Sequence, residues 1–107
     1  YGSLVVIDLS AMWCGPCNSA GAHAQEVQDL YADEDLIYVT VLIEDQQANI
    51  PNLDDLQQWA YAYGNTTSPV VGGDRSMRAS GGGTWDLIDK GYNGQEVLYS
   101  IEWLLTL

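Results

Sequence analysis

Two cysteines are the only thiols in the sequence, and they stand three residues apart in Trp13-Cys14-Gly15-Pro16-Cys17. Thiols at i and i+3 at the start of a helix can face one another and close a small disulfide. The first thiol lies where unpaired N–H groups and the positive end of the helix dipole converge, which stabilises a thiolate. In such a setting the first thiol of a Cys-X-X-Cys pair titrates near ~7 or below rather than at about 8.5. The second thiol lies one turn in, shielded until it is needed. Asp8 is the other residue with chemical promise, because it interrupts the otherwise apolar run at 4–9 (LVVIDL). A carboxyl buried in such a strand has a raised pKa and suits general-base work near neutral pH. At a strand edge or end it would meet solvent and stay an ordinary acid.

Other uses of the cysteine pair need different company. A structural zinc site ordinarily has four Cys or His ligands, and beyond the pair the sequence offers only His23. His23 lies six residues past Cys17, about 600° round a helix at ~100° per residue, so it points away from the site. An inert buried pair is the remaining alternative. A strand leading directly into the motif, with Trp before it and Gly-Pro within it, favours redox chemistry.

The elements that must position these residues follow from periodicity. Residues 4–9 are apolar and β-branched enough for a central strand buried on both faces. Pro16 suits the first turn of a helix, and residues 18–32 carry a helical stripe of Ala20, Ala24, Val27, Leu30 and Tyr31. Residues 36–44 (LIYVTVLIE) predict a second central strand, and 44–52 a polar loop. Asn52 is a candidate N-cap for a helix over 53–63, with Asp54 and Asp55 in its first turn. Leu53, Leu56, Trp59, Ala60 and Tyr63 give that helix its apolar face, and Gly64-Asn65 stops it. Residues 68–71 read as a short extended piece and the glycine-rich 72–83 as loop. Residues 84–89 predict a third strand. Asn93-Gly94 is a turn signal, followed by a short strand at 97–99 and a terminal helix from about 100. No repeat or long linker divides the chain. The order predicts an α/β domain with a mixed sheet, parallel at the start and antiparallel at the finish, flanked by helices.

With an apolar strand before it, Trp13-Cys14-Gly15-Pro16-Cys17 resembles the active site of the thioredoxin superfamily, over residues 4–63 closely and over the remainder loosely. The polar insert after the second strand and Ser68-Pro69-Val70 are more similar to the exported, TlpA-like redoxin branch. The resemblance implies one thioredoxin-like domain over 1–107 that exchanges or reduces protein disulfides. It makes Cys14 the attacking thiolate, Cys17 the resolving thiol, and Asp8, six residues before Cys14, the proton acceptor for Cys17. Trp13, Gly15 and Pro16 form the active-site loop and contact surface. The family places a cis-proline facing the disulfide. At the matching place, Gly81-Gly82-Gly83-Thr84, this chain has Gly83, with Thr84 beside it, and glycine rarely holds a cis peptide. Pro69 is another candidate but fits the extended piece better. Loss of that proline opens the alternative of a metal- or iron–sulfur-cluster-binding module that uses Cys14 and Cys17 as ligands. A peroxide-reducing redoxin is a further alternative, but no threonine or proline stands before Cys14 where its motif needs them. Gly-Pro within the motif resembles reducing members.

Composition bounds the partners. The 107 residues carry fifteen acids against three bases, a net charge of −12, and are 47% hydrophobic. Nucleic acid and anionic membrane surfaces both attract clustered Lys and Arg, and Arg75, Arg78 and Lys90 form no cluster. The acids lack the spacing of an EF-hand loop and read as a solvated, self-repelling surface, or as adaptation to salt. Tyr61, Tyr63 and Tyr92 are scattered aromatics that could form a contact patch. The expected partners are a disulfide-containing protein substrate and a reducing partner protein, with no cofactor or metal and the chain a monomer. The start at Tyr1, almost directly on a strand, reads as an N-terminally trimmed or mature product. Together with the branch resemblance it predicts an extracytoplasmic setting, periplasmic or lipoprotein-anchored.

Overall fold

The computed structural model describes residues 4–77. The first apolar run extends into strand β1 (Leu4–Ala11), and LIYVTVLIE forms β2 (Leu36–Glu44). Helix α1 (Gly15–Leu30) connects them. Helix α2 (Leu53–Ala62) then leads to a short strand β3 (Val70–Gly72) and a 3₁₀ turn (Arg75–Met77). The sheet runs in the order β1-β2-β3. Both pairings are parallel, and the helical connections supply the crossovers that parallel neighbours need. The expected mixed sheet is therefore corrected for the described residues, which form an all-parallel sheet. The antiparallel finish belongs to 84–89 and 97–99, and the last helix to residues after about 100. All of these lie outside the described residues. Three parallel strands and two helices are compatible with the thioredoxin-like fold that the resemblance implies. Among the described residues no helix is long and apolar enough to cross a membrane.

Both helices pack on the same face of the sheet. On α1, Ala24, Val27 and Tyr31 meet Leu36 and Tyr38 of β2, with Leu4 and Val6 of β1 packed against them. Nearer the cysteines, Met12, Leu42 and Trp59 form a second cluster with Cys17, Leu56, Tyr63 and Val70 around it. The opposite face of β1 exposes Val5 and Ile7. The expectation of burial on both faces thus fails for β1. β2 is the central strand of the described sheet, and from Thr40 to Glu44 it is buried throughout.

Each helix departs from its expected apolar stripe at one leucine. Leu30 is 63% exposed, because it stands about 60–120° round the helix from Ala20, Ala24, Val27 and Tyr31, at the edge of their stripe. Leu53, the first residue of α2, is also exposed, and its helix turns inward only from Leu56 and Trp59. The predicted cap of α2 is present and is reciprocal. The Asp55 N–H donates to Asn52 Oδ1 at 2.9 Å, and the Asn52 N–H donates to Asp55 Oδ2 at 2.9 Å. Gly64, with φ +65°, takes the left-handed turn that ends the helix.

Two glutamines on α1 add contacts that hydrophobic patterning does not reveal. Gln25 Oε1 accepts the backbone N–H groups of Thr66, Thr67 and Ser68, at 2.8, 3.0 and 2.9 Å. This fixes the approach to β3. Gln28 acts as a surrogate strand, its Nε2 donating to Leu36 O and its Oε1 accepting from Tyr38 N.

α1 meets α2 at Gly21, where a Cβ would stand 2.7 Å from Cζ2 of Trp59. Alanine in a helix interior ordinarily gains about 1 kcal/mol over glycine. Here Trp59 is only 2% exposed and its ring has little room to yield, so overpacking of about 1–3 kcal/mol wins. Gly21→Ala is therefore expected to lower the unfolding free energy by roughly 1 kcal/mol in urea denaturation. A variant as stable as the parent chain would contradict this close packing.

Candidate active site

The site is built where β1 hands the chain to α1. Pairing with β2 is regular through Ser10↔Leu42 and then skips, so that Ala11 pairs with Glu44. Such an irregularity bends the strand and re-aims the residues beyond it. Met12 N–H still bonds to Glu44 O at 3.0 Å, and Cys14 N–H turns back to Ala11 O at 3.1 Å. Cys14 is left at the N-cap of α1 with extended backbone, φ −88° and ψ 115°. The helix begins at Gly15, three residues earlier than its apolar stripe, and therefore includes Pro16 and Cys17 in its first turn.

Cys14 and Cys17 are joined as a disulfide, with Cα atoms 5.2 Å apart. Cys14 Sγ also accepts the backbone N–H of Cys17 at 3.2 Å, so it occupies the place of a capping oxygen. An N–H aimed at this sulfur favours negative charge on it once the disulfide opens. Both cysteines are half-buried. Cys17 packs against the Met12, Leu42 and Trp59 cluster, while the loop beside Cys14 is open: Trp13 is 53% exposed, and Gly15 and Pro16 are exposed.

Asp8 lies in β1 on the face covered by α1, half-buried. Its Oδ1 accepts from the Ser10 hydroxyl at 2.9 Å and its Oδ2 from the Tyr38 hydroxyl at 3.1 Å. Burial is the larger influence and raises its pKa above the ordinary aspartate range, while the two hydroxyl donors pull it back. Thr40, directly across the ladder from Asp8, is fully buried, and its hydroxyl has no partner among the described residues.

Sequence reasoning missed the groups that tie down the turn at 12–14. Asn18 Nδ2 donates to Met12 O at 3.1 Å and to Cys14 O at 2.7 Å, and Gln46 Nε2 donates to Met12 O at 3.1 Å. Asn18 Oδ1 accepts from the Tyr63 hydroxyl, across 45 positions of sequence. No periodicity announces such a bond, and the one available signal is an amide immediately after the second cysteine. A pocket of about 160 Å³ opens beside these groups, with Met12, Gln46, Gln58 and Trp59 in its walls.

The remaining candidates fall away from this cluster. His23 pairs with Glu26 at 3.0 Å on the exposed side of α1. Among the described residues no three His, Cys, Asp or Glu side chains are grouped to hold a metal ion. The peptide bond before Pro69 is trans, as are the other described peptide bonds. Tyr61 is exposed and Tyr63 half-buried, so they do not form one patch. Gly83, Thr84 and Tyr92 lie outside the described residues.

No protein-family model matches the chain, and no solved structure does so. The chain is similar to a thioredoxin of Mycoplasma genitalium, with 30% identity over 67 residues. The match takes in 63% of this chain and 54% of the relative, so the chain spans about half the length of the curated relative it matches. This similarity and the bonded Cys14–Cys17 pair together support a relationship to the thioredoxin superfamily and a thiol–disulfide redox chemistry.

Proposed function

We propose that the protein is a thiol–disulfide oxidoreductase that reduces or exchanges protein disulfides through Cys14 and Cys17. The observation that carries this reading is the bonded pair at the start of α1, with Cys14 Sγ on the Cys17 N–H. In the reduced protein the Cys14 thiolate attacks one sulfur of a substrate disulfide. That S–S bond breaks, one substrate thiolate leaves, and a mixed disulfide forms. Cys17 then gives its proton to Asp8 and attacks Cys14 Sγ. The mixed disulfide breaks, the second substrate thiolate leaves, and Cys14–Cys17 closes. Two electrons have passed from the pair to the substrate. A dithiol partner protein returns them and restores the pair. Trp13, Gly15 and Pro16 supply the open surface against which the substrate chain lies.

Within that chemistry we place the chain in the exported, TlpA-like redoxin branch. Support comes from the polar insert between β2 and α2, and from Ser68-Pro69-Val70, which leads into β3 at the edge of β2. On this reading the domain works as an extracytoplasmic monomer, periplasmic or membrane-anchored. Its substrate presents a neutral or basic face, since the chain carries −12.

Three variants test the mechanism. In a dithiothreitol-driven assay of protein-disulfide reduction, Cys14→Ser is expected to lose activity to background. Cys17→Ser is expected to accumulate the mixed disulfide, seen as a shifted band on a non-reducing gel. Full activity in Cys14→Ser sinks the mechanism. Asp8→Asn is expected to slow resolution on the order of 10²-fold and to remove the pH dependence that Asp8 imposes. Stability gives an independent readout. Because burial raises the Asp8 pKa, the folded state holds its proton more tightly than the unfolded state does. The contribution of Asp8 to stability is therefore greatest at low pH. It falls as pH rises from the ordinary aspartate value through the raised one. Asp8→Asn abolishes that loss, so its stability relative to the parent should climb across this window by up to about 1.4 kcal/mol per pH unit. A difference independent of pH would show that Asp8 is not titrating from a buried position.

A further inference from the structure

We propose that Asn18, held in place by Tyr63, is the positioning residue of the active-site turn and sets the balance between the dithiol and disulfide states of Cys14 and Cys17. The inference rests on the thiol–disulfide reading and assigns that site its internal regulator. Both amide hydrogens of Asn18 are committed, one to Met12 O and one to Cys14 O, the two carbonyls on either side of Trp13. Its backbone N–H bonds to Cys14 O as well, at 3.0 Å. The amide can face only one way, since the reverse orientation would set its oxygen against two carbonyls and its donors against the Tyr63 hydroxyl. Tyr63 caps the C-terminus of α2, and its ring meets Trp59 edge-on at 4.9 Å between centroids. Trp59 in turn is seated against Gly21 of α1. A continuous set of contacts thus runs from the packed α1–α2 interface to the backbone beside the reactive sulfur.

This matters most when the disulfide is open. In the oxidised protein the S–S bond itself holds the turn. Reduction adds two electrons and two protons, and that tie is lost. None of the Asn18 contacts involves a sulfur atom, so they outlast reduction and keep Cys14 beside the Cys17 N–H. Without them the reduced turn relaxes and regains conformational freedom, whereas the disulfide-closed turn cannot, so their removal costs the disulfide state more than the dithiol state. Loss of the brace therefore shifts the pair towards the dithiol.

The test equilibrates the parent chain, Asn18→Ala, Tyr63→Phe and the double variant with graded ratios of reduced and oxidised dithiothreitol, and counts free thiols by alkylation. In each exchange one dithiothreitol dithiol closes to its cyclic disulfide as Cys14–Cys17 opens. Asn18→Ala is expected to favour the dithiol about tenfold more than the parent, a midpoint about 30 mV more positive. Tyr63→Phe should shift the same way and by less. Because Tyr63 acts through Asn18, the double variant should match Asn18→Ala, which a general loss of stability would not produce. An Asn18→Ala midpoint unchanged or more negative overturns the proposal, and full additivity overturns the serial arrangement. If Asn18→Ala does not fold, Tyr63→Phe decides alone, since it keeps the ring against Trp59 and removes only the hydroxyl. An unmoved midpoint there is equally fatal. A parent chain whose cysteines do not cycle with dithiothreitol refutes the thiol–disulfide reading itself, an outcome distinct from a cycling parent with unshifted variants.

Discussion

The skipped step in the β1–β2 ladder, where Ala11 pairs with Glu44 after Ser10 has paired with Leu42, governs where the two cysteines stand. A regular ladder would carry β1 straight on past the end of α1. The irregularity instead ends the strand in a turn whose Met12 N–H remains tied to β2, so Cys14 arrives as the cap of α1. The helix then places Cys17 one turn on, with its N–H aimed back at the Cys14 sulfur. Helix start, sulfur environment and packing of Cys17 all depend on one local change of register.

That arrangement needs rigid support, and α2 provides it. The parallel β1–β2 pair fixes α1 against the sheet. The same sense of crossover brings α2 alongside α1 on the same face. Gly21 permits the two helices to close on Trp59, and Trp59 carries Tyr63 to Asn18. The polar residues under α1 have a different cost. Asp8 keeps its carboxyl half-buried because two hydroxyls partner it, which limits the penalty of burial without cancelling it.

Local chemistry makes much of this readable from the chain alone. The runs LVVIDL and LIYVTVLIE, the stripe through Ala24 and Val27, and the Asn52 cap all depend on neighbours a few residues away, and each forms near its predicted place. The cysteine pair is legible for the same reason. The contacts that escape depend on partners distant in sequence. Gln25 clamps a segment more than forty residues on, and Asn18 meets Tyr63 across 45. Burial on a given face is equally nonlocal: β1 has the composition of a strand covered on both sides, yet Val5 and Ile7 remain exposed because both described helices choose the other face.

The net charge of −12 would at first sight oppose a thiolate, yet the placement of the acids among the described residues removes part of the conflict. The first turn of α1 holds no acid. Asp33, Glu34 and Asp35 lie past its far end, and a 16-residue helix separates them from Cys14 by about 24 Å. That is roughly three Debye lengths at physiological salt. Of the acids at the near end, Asp45 accepts from the N–H groups of Gln47 and Asn49, and Asp55 from that of Asn52. Glu44, the ladder partner of Ala11, is the exception: it is buried, and its Oε2 has no partner among the described residues. Asp8, closest in the chain to the cysteines, is biased by burial towards its neutral form. Among the described residues, the groups packed around Cys17 and bonded to the turn at 12–14 are aliphatic, aromatic, thioether and amide. An anionic sulfur at Cys14 is stabilised there by the field of the helix start.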